Sequence, residues 1–191
     1  QGNIAYSKNK IIYMDEVSPN YPWMAQTGRS TGLNYGYLFD RFLAVDDFDA
    51  EGNLKVDAKG NSLLPAMSLA NPKPGDVLFK DLNGDGKING DDKTYFGYSD
   101  RPDYVFGLLG GIRWKGFEIS MQWTAGLHAS RVLSGEYREP FGSTNSRALL
   151  KFLANDSWTP NHTNARFPRM TFTRKQHYLE DSDLWLMDGS Y

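Results

Sequence analysis

Cysteine is absent from this 191-residue chain, so it holds no disulfide framework, no thiolate metal site and no thiol nucleophile. It also lacks an excess of positive charge: 21 basic and 23 acidic side chains are mixed along the sequence and leave a formal net charge of −2. With no sustained basic field, nucleic acid is excluded as the expected partner. No stretch approaches the roughly 18–20 consecutive apolar residues of a spanning helix, and the opening QGNIAYSKNK lacks the charged and apolar regions of a secretory signal. A helical membrane anchor is thereby excluded. A membrane β-barrel is not, because strands that alternate apolar and polar residues escape a hydropathy window. The length by itself suits one ordinary domain.

What the chain does have is aromatic residues, 14% of the total, set in a sequence whose mean hydropathy is −0.56. That combination is amphipathic, and its clearest expression runs from Asp103 to His128, DYVFGLLGGIRWKGFEISMQWTAGLH. The hydrophobic period there is two, a strand signature. Tyr104, Phe106, Leu108, Ile112 and Trp114 share one face, against Val105, Gly107, Leu109, Gly111 and Arg113. Beyond Lys115-Gly116, Phe117, Ile119, Met121, Trp123, Ala125 and Leu127 oppose Glu118, Ser120, Gln122, Thr124 and His128. This predicts a hairpin with a very short turn. Each arm has about the 9–11 residues that cross a bilayer as a tilted strand, with aromatics at both ends of the apolar face. The same pattern also suits a β-sandwich hairpin whose apolar face points into a soluble core.

Elsewhere Gly, Pro and Asn punctuate the chain every few residues, most densely from Asp40 to Gly75, as in long external loops. SRALLKFLANDSW, Ser146 to Trp158, spaces Leu149, Leu150, Phe152 and Leu153 for one short amphipathic helix within a loop, ended at Thr159-Pro160. Short strands are expected at Ile4 to Met14, Arg166 to Phe172 and Leu184 to Met187. No repeat of about 20–50 residues is visible.

The most specific chemical motif is DLNGDGKINGDD, Asp81 to Asp92. Oxygen donors stand at loop positions one, three and five (Asp81, Asn83, Asp85), glycine at six (Gly86), an apolar residue at eight (Ile88) and a carboxylate at twelve (Asp92), which is EF-hand spacing. A hard cation wants about six to eight oxygens, and alternate residues of a tightly turning chain aim theirs inward where glycine permits the bend. Lys87 at position seven would give its backbone carbonyl. Aspartate at twelve is shorter than the usual glutamate and resembles the calcium loops of dockerins. No flanking helix pair is evident, so the expected ligand is a structural calcium ion rather than a signalling one. An Asx-rich solvated turn is the plain alternative.

Taken in order, DLNGDGKINGDD, then YFGYSDRPDYVFGLLGGIRWKGFEIS, then WTPNHTNARFPR, then LWLMDGSY resemble the carboxyl-terminal part of the SusC/RagA-type TonB-linked (TonB-dependent) outer-membrane transporters of Bacteroidetes. YGYLFDRFLAVDDF, upstream, is similar to a segment of a subset of that family, so the resemblance runs from about Tyr35 to Tyr191. It implies an all-β fold: an antiparallel transmembrane β-barrel segment, part of a barrel of about 22 strands, with long extracellular loops and a short loop helix. It also implies a cell outer-membrane location in contact with lipid, an amino-terminal plug that couples to TonB, a SusD-like surface lipoprotein as lid, and import of glycans or peptides. On this resemblance residues 1–191 are a partial barrel domain from which the plug and the final strands are missing.

On the transport reading Trp23, Tyr35, Tyr37, Trp158 and His162 are candidate loop contacts for a ligand or the lid, since aromatic faces stack on sugars and bury area at interfaces. A secreted, calcium-stabilised β-sandwich carbohydrate-binding module is the second reading. Catalysis is not expected. Asp46 with Asp47, or Glu180 with Asp181, are adjacent acids that point in different directions on an extended chain. His128, His162 and His177 lack ligand spacing, and no GxSxG elbow or phosphate-binding glycine loop occurs.

Overall fold

The computed structural model describes residues 1–67, 71–132 and 148–170, and the backbone of 186–188. In chain order its elements are β1 (Gly2–Tyr6), β2 (Asn34–Tyr37), β3 (Phe39–Phe42), β4 (Val77–Phe79), β5 (Lys93–Phe96), β6 (Tyr104–Trp114), β7 (Phe117–Leu127), β8 (Ser130–Val132), α1 (Lys151–Asn155) and β9 (Leu186–Asp188). Strand prevails over helix, as an all-β fold requires. The sheets formed by the described residues are open, and none closes into a barrel. No described helix is long and apolar enough to cross a membrane. Two compact units result, one from Gln1–Asn34, Tyr95–Val132 and Leu186–Tyr191, the other from Tyr35–Thr94 and Leu133–Trp185.

The first unit is built on a three-stranded antiparallel sheet in the order β1-β6-β7. Lys115 and Gly116 make the turn with φ of +45° and +88°, the left-handed two-residue geometry whose twist matches the flanking strands. From there β6 and β7 pair without interruption from Trp114 opposite Phe117 to Tyr104 opposite Leu127. Because side chains alternate, this register sets bulky against bulky (Ile112 with Ile119, Leu108 with Trp123) and small or polar against the same (Gly111 with Ser120, Arg113 with Glu118). Arg113 Nη2 donates to Glu118 Oε2 at 2.7 Å, so the charges on that face cancel across the strands. β1 adds Ile4 beside Phe106 and Tyr6 beside Tyr104, carrying the bulky row onto a third strand. On the opposite face Asn3 lies over Gly107, where a Cβ would collide with its amide.

No described residue covers the bulky row. Ile112 and Phe117 are each 73% exposed and Trp123 53%, whereas burying such a side chain stabilises by about 1.5–3 kcal/mol. A contiguous apolar face of this kind marks an interaction or membrane surface. Eleven residues per arm, at a rise of about 3.3 Å and a tilt of about 45°, span about 25 Å, the height of the apolar band of an outer-membrane barrel. Tyr6, Tyr104 and Leu127 end the three strands in one row. The chain therefore leaves β1, enters β6 and leaves β7 at the same end of the sheet, and a two-residue turn closes the other. That asymmetry matches barrels with long outer loops and short inner turns.

In the second unit β4 is the centre. All three of its residues are buried, and alternation sends Val77 and Phe79 to one cluster with Ile88 and Leu78 to another with Leu43 and Phe48. Met67 packs against both. A bulge in β3 between Phe39 and Arg41 keeps that pairing in step. The segment from Asp49 to Asn61 folds the same short turn twice, DAEGN and DAKGN. In each the fifth residue's N–H donates to the Asp Oδ1, at 2.8 Å from Asn53 and 2.9 Å from Asn61. Each also takes glycine at positive φ, Gly52 at +83° and Gly60 at +84°. This eight-residue repeat falls below the period sought in the sequence.

The structure also corrects strand and helix boundaries. The strand expected at Ile4 to Met14 ends at Tyr6, because Ile11 exchanges backbone hydrogen bonds with Gly28 and Arg29 instead. The helix expected within Ser146 to Trp158 is one turn, Lys151–Asn155, opening at Leu150 without a side-chain cap; residues 146–147 lie outside the described residues. Through 166–170 the chain makes a single bridge, Phe167 with Ser157, rather than a strand, and 171–172 lie outside. Near the last expected strand, Leu186–Asp188 pairs with β8, while 184–185 lie outside.

Candidate functional site: the acidic loop and the loop aromatics

The predicted metal loop winds from β4 toward β5 and is organised by its own acids. Asp81 accepts from the N–H of Gly84 at 2.7 Å and of Gly86 at 2.8 Å. Asn83 Oδ1 accepts from the Asp85 N–H at 3.0 Å, and Asp85 Oδ1 from the Lys87 N–H at 2.8 Å. Gly86 sits at φ +78°, the bend that glycine permits. Ile88 is 4% exposed and joins the core cluster with Val77 and Phe79, anchored by a parallel bridge in which Ala66 donates to the Gly86 carbonyl and Ile88 donates to that of Ala66. The Lys87 carbonyl takes no part in that bridge.

Asp92 is fully buried and ties the loop's two ends: Oδ1 accepts from the Leu82 N–H and Oδ2 from the Asn89 N–H, each at 2.8 Å. The donor set is hard and oxygen-based, and glycine, apolar residue and twelfth-position carboxylate hold the sequence positions of a calcium loop. Asp81, Asn83 and Asp85 share one turn, with Asn83 Nδ2 donating to Asp85 Oδ2 at 3.1 Å. Among the described residues, however, no three His, Cys, Asp or Glu side chains are gathered into a ready metal cluster. The chemistry fits calcium; the carboxylates are engaged by the loop's own amides.

Of the five candidate contact residues four lie in the second unit and one, Trp23, in the first. In the second unit Trp158 is 5% exposed, its ring lying on Gly75 where a Cβ would collide with it, so it packs as a core side chain. Gly75 needs its φ of +89° as well as that close approach. Tyr37 is half-buried against Phe79 with ring centroids 5.4 Å apart, and Lys93 Nζ stands 5.2 Å over its ring. Tyr35, also in β2, is half-buried. His162 is exposed, its Nε2 3.7 Å from Asp156 Oδ1. In the first unit Trp23 stacks on Tyr21 at 4.5 Å.

The carboxylate pairs weighed for catalysis are structural or outside view. Asp47 takes Arg41 Nη1 at 2.6 Å and Nη2 at 2.9 Å and accepts from the Ala44 N–H. The Arg41 guanidinium holds its carboxyl below the usual carboxylate range. Glu180 and Asp181 lie outside the described residues, as does His177. Two features escaped sequence reasoning. One is an ion pair between buried Asp76 and half-buried Arg169, whose Nε stands 2.6 Å away although the partners are 93 residues apart. The other is an aromatic cluster at the end of the sheet opposite the Lys115-Gly116 turn, where His128 stacks on Tyr98 at 4.6 Å and meets Tyr104 edge-on at 5.1 Å. The pairing of Tyr104 with Leu127 puts His128 just beyond the strand, and the Tyr98 N–H donating to Ser130 Oγ at 2.8 Å holds the third ring beside them.

No family model matches the chain. The chain is similar to TonB-dependent receptor P3 of Formosa agariphila (strain DSM 15362 / KCTC 12365 / LMG 23005 / KMM 3901 / M-2Alg 35-1), 25% identical over 202 aligned residues that take in 99% of this chain. It spans 18% of that relative's length. The likeness supports the TonB-dependent receptor class, and it is consistent with a β-rich chain that has no membrane-spanning helix among its described residues.

Proposed function

We propose that this chain is part of a TonB-dependent outer-membrane importer of the SusC/RagA type, supplying barrel wall and extracellular loops for uptake of glycans or peptides. The observation that carries the reading is the bulky row of β1, β6 and β7, uncovered by any described residue and backed by a face of Gly, Ser, Thr, Gln and an internally neutralised Arg113–Glu118 pair, interrupted by Val105 and Leu109. Hydrocarbon suits the first face and an aqueous lumen the second. Open edges on such a sheet need further strands, since each unsatisfied backbone group costs several kcal/mol in lipid; β1 and β7 would pair with those of the whole protein.

A SusD-like lipoprotein would close over the outer loops, where Ile12, Tyr13 and Val17 stand 89%, 82% and 94% exposed and offer apolar area to a lid. TonB would act through a plug elsewhere in the protein. Calcium would be held by Asp81, Asn83, Asp85, the Lys87 carbonyl and Asp92, neutralising the loop's acids and stiffening it. The secreted β-sandwich module is disfavoured, because no described residue covers the row that its core would have to bury. The test is fractionation and uptake of the full-length protein. It should be recovered from outer membranes only with detergent, carry a lipoprotein partner with it, and lose uptake of an oligosaccharide or peptide panel when TonB is deleted. A protein soluble in buffer without detergent would refute the importer reading.

A further inference from the structure

Beyond the ends of β1 and β6 opposite the Lys115-Gly116 turn, within the first unit, segments 6–10, 28–33 and 97–103 line a cleft of about 760 Å³, a volume usual for small-ligand sites. One wall is built rather than draped. Segment 7–11 is strapped to 28–31 by the Ile11 and Gly28 backbone bonds and by Asn9, whose Oδ1 accepts from the Thr31 N–H at 2.7 Å and whose carbonyl accepts from Ser30 Oγ at 2.8 Å.

Its charge is lopsided. Four cations line it, Lys8, Lys10, Arg29 and Arg101, against one acid, Asp103, and Asp103 faces His128 Nδ1 at 3.7 Å. Arg29 donates to the carbonyls of Ala25, Tyr95 and Trp23, which fixes its guanidinium without cancelling its charge. No carboxylate among the described residues pairs with any of the four. Asp100 stands outside the lining and accepts from Ser99 Oγ at 3.2 Å. Cations that no described carboxylate pairs, beside serine hydroxyls, an asparagine and two tyrosine rings, suit a sugar that carries negative charge.

We propose that this cleft binds an anionic saccharide group, a phosphate or carboxylate on a sugar, at the outward rim of the wall. Only its placement at the rim rests on the importer reading; the binding chemistry does not. Two sources supply that chemistry: the headgroup of a phosphorylated glycolipid in the outer leaflet, and a soluble acidic oligosaccharide. The experiment uses the full-length protein purified in detergent, so it reads the cleft whatever membrane the protein came from. The probes are nanodiscs with or without a bisphosphorylated glycolipid, and a tetrasaccharide of glucuronic acid.

Wild type is expected to bind one anionic probe with an affinity that falls as salt rises, and the outcome names the source. The triple variant Lys8→Gln, Lys10→Gln, Arg101→Gln, whose side chains are exposed, should bind that probe at least about tenfold more weakly. Lys59→Gln, in the second unit, should bind as wild type. The proposal is overturned if neither anionic probe binds, or if the triple variant, with unchanged circular dichroism, binds as tightly as wild type.

Discussion

Met121 and Gln122 are neighbours on β7 with opposite fates in the barrel reading, and arginine at each separates the faces. Met121 lies opposite Gly110 on the bulky row and Gln122 opposite Leu109 on the other. Met121 is four residues into an 11-residue strand that begins at Phe117. At a rise of about 3.3 Å and a tilt of about 45° its Cα is about 9 Å deep, close to the middle of a band about 25 Å tall. Arginine on the lipid face at that depth costs about 2–4 kcal/mol, a drop of about thirtyfold or more in the folded-to-unfolded ratio. Gln122→Arg would meet water in a lumen and should cost less than about 1 kcal/mol. The assay is urea-driven unfolding of the full-length protein in lipid vesicles, read by tryptophan fluorescence and by the shift in electrophoretic mobility of unheated samples. Equal destabilisation by both substitutions, or a larger cost for Gln122→Arg, would refute the assignment of faces.

Arg169→Met should leave Asp76 buried without its guanidinium, loosening the second unit by about 3–5 kcal/mol, with faster hydrogen exchange at the Leu43 and Gly75 amides that bracket the pair; pairing it with Asp76→Asn should recover part of the loss. Lowering the pH should loosen the Val45–Asp47 turn. The folded Asp47 has its carboxyl depressed by Arg41, so its contribution is present above the ordinary carboxylate pKa of about 3.9 and is lost as pH falls through the lower folded value. Hydrogen exchange at Ala44 read against pH checks this, and Asp47→Asn should abolish the dependence. Calcium titration of the full-length protein should slow exchange across Asp81–Asp92, and Asp85→Ala should weaken that response by tenfold or so. Asp92→Ala should expose the loop even in chelator, because its carboxylate caps Leu82 and Asn89; no calcium effect on exchange in the wild type would remove the metal from the account.

The hairpin was legible in the sequence because its information is local. A period of two, a turn that needs positive φ at Lys115-Gly116 and arms of matched length leave one register that keeps bulky side chains together. The turning acidic loop was legible for the same reason, since Asp81, Asn83, Asp85 and Gly86 organise one another within a few residues. What the sequence could not decide was which apolar side chains face a neighbour and which face outward. Trp158 and Trp123 are the same residue type in comparably aromatic surroundings, yet one is buried because Gly75 opens a space for its ring and the other is exposed on a single-layer sheet. The strand expected through Met14 stopped at Tyr6 because distant Gly28 and Arg29 supplied better partners for Ile11, a competition invisible to periodicity. Asp76 with Arg169, the cations around the cleft and the rings about His128 are all brought together by chain segments tens of residues apart. Alternation and turn chemistry are properties of neighbouring residues and can be read along the chain; burial and charge pairing depend on closing long loops, and only the tertiary structure says which loops close.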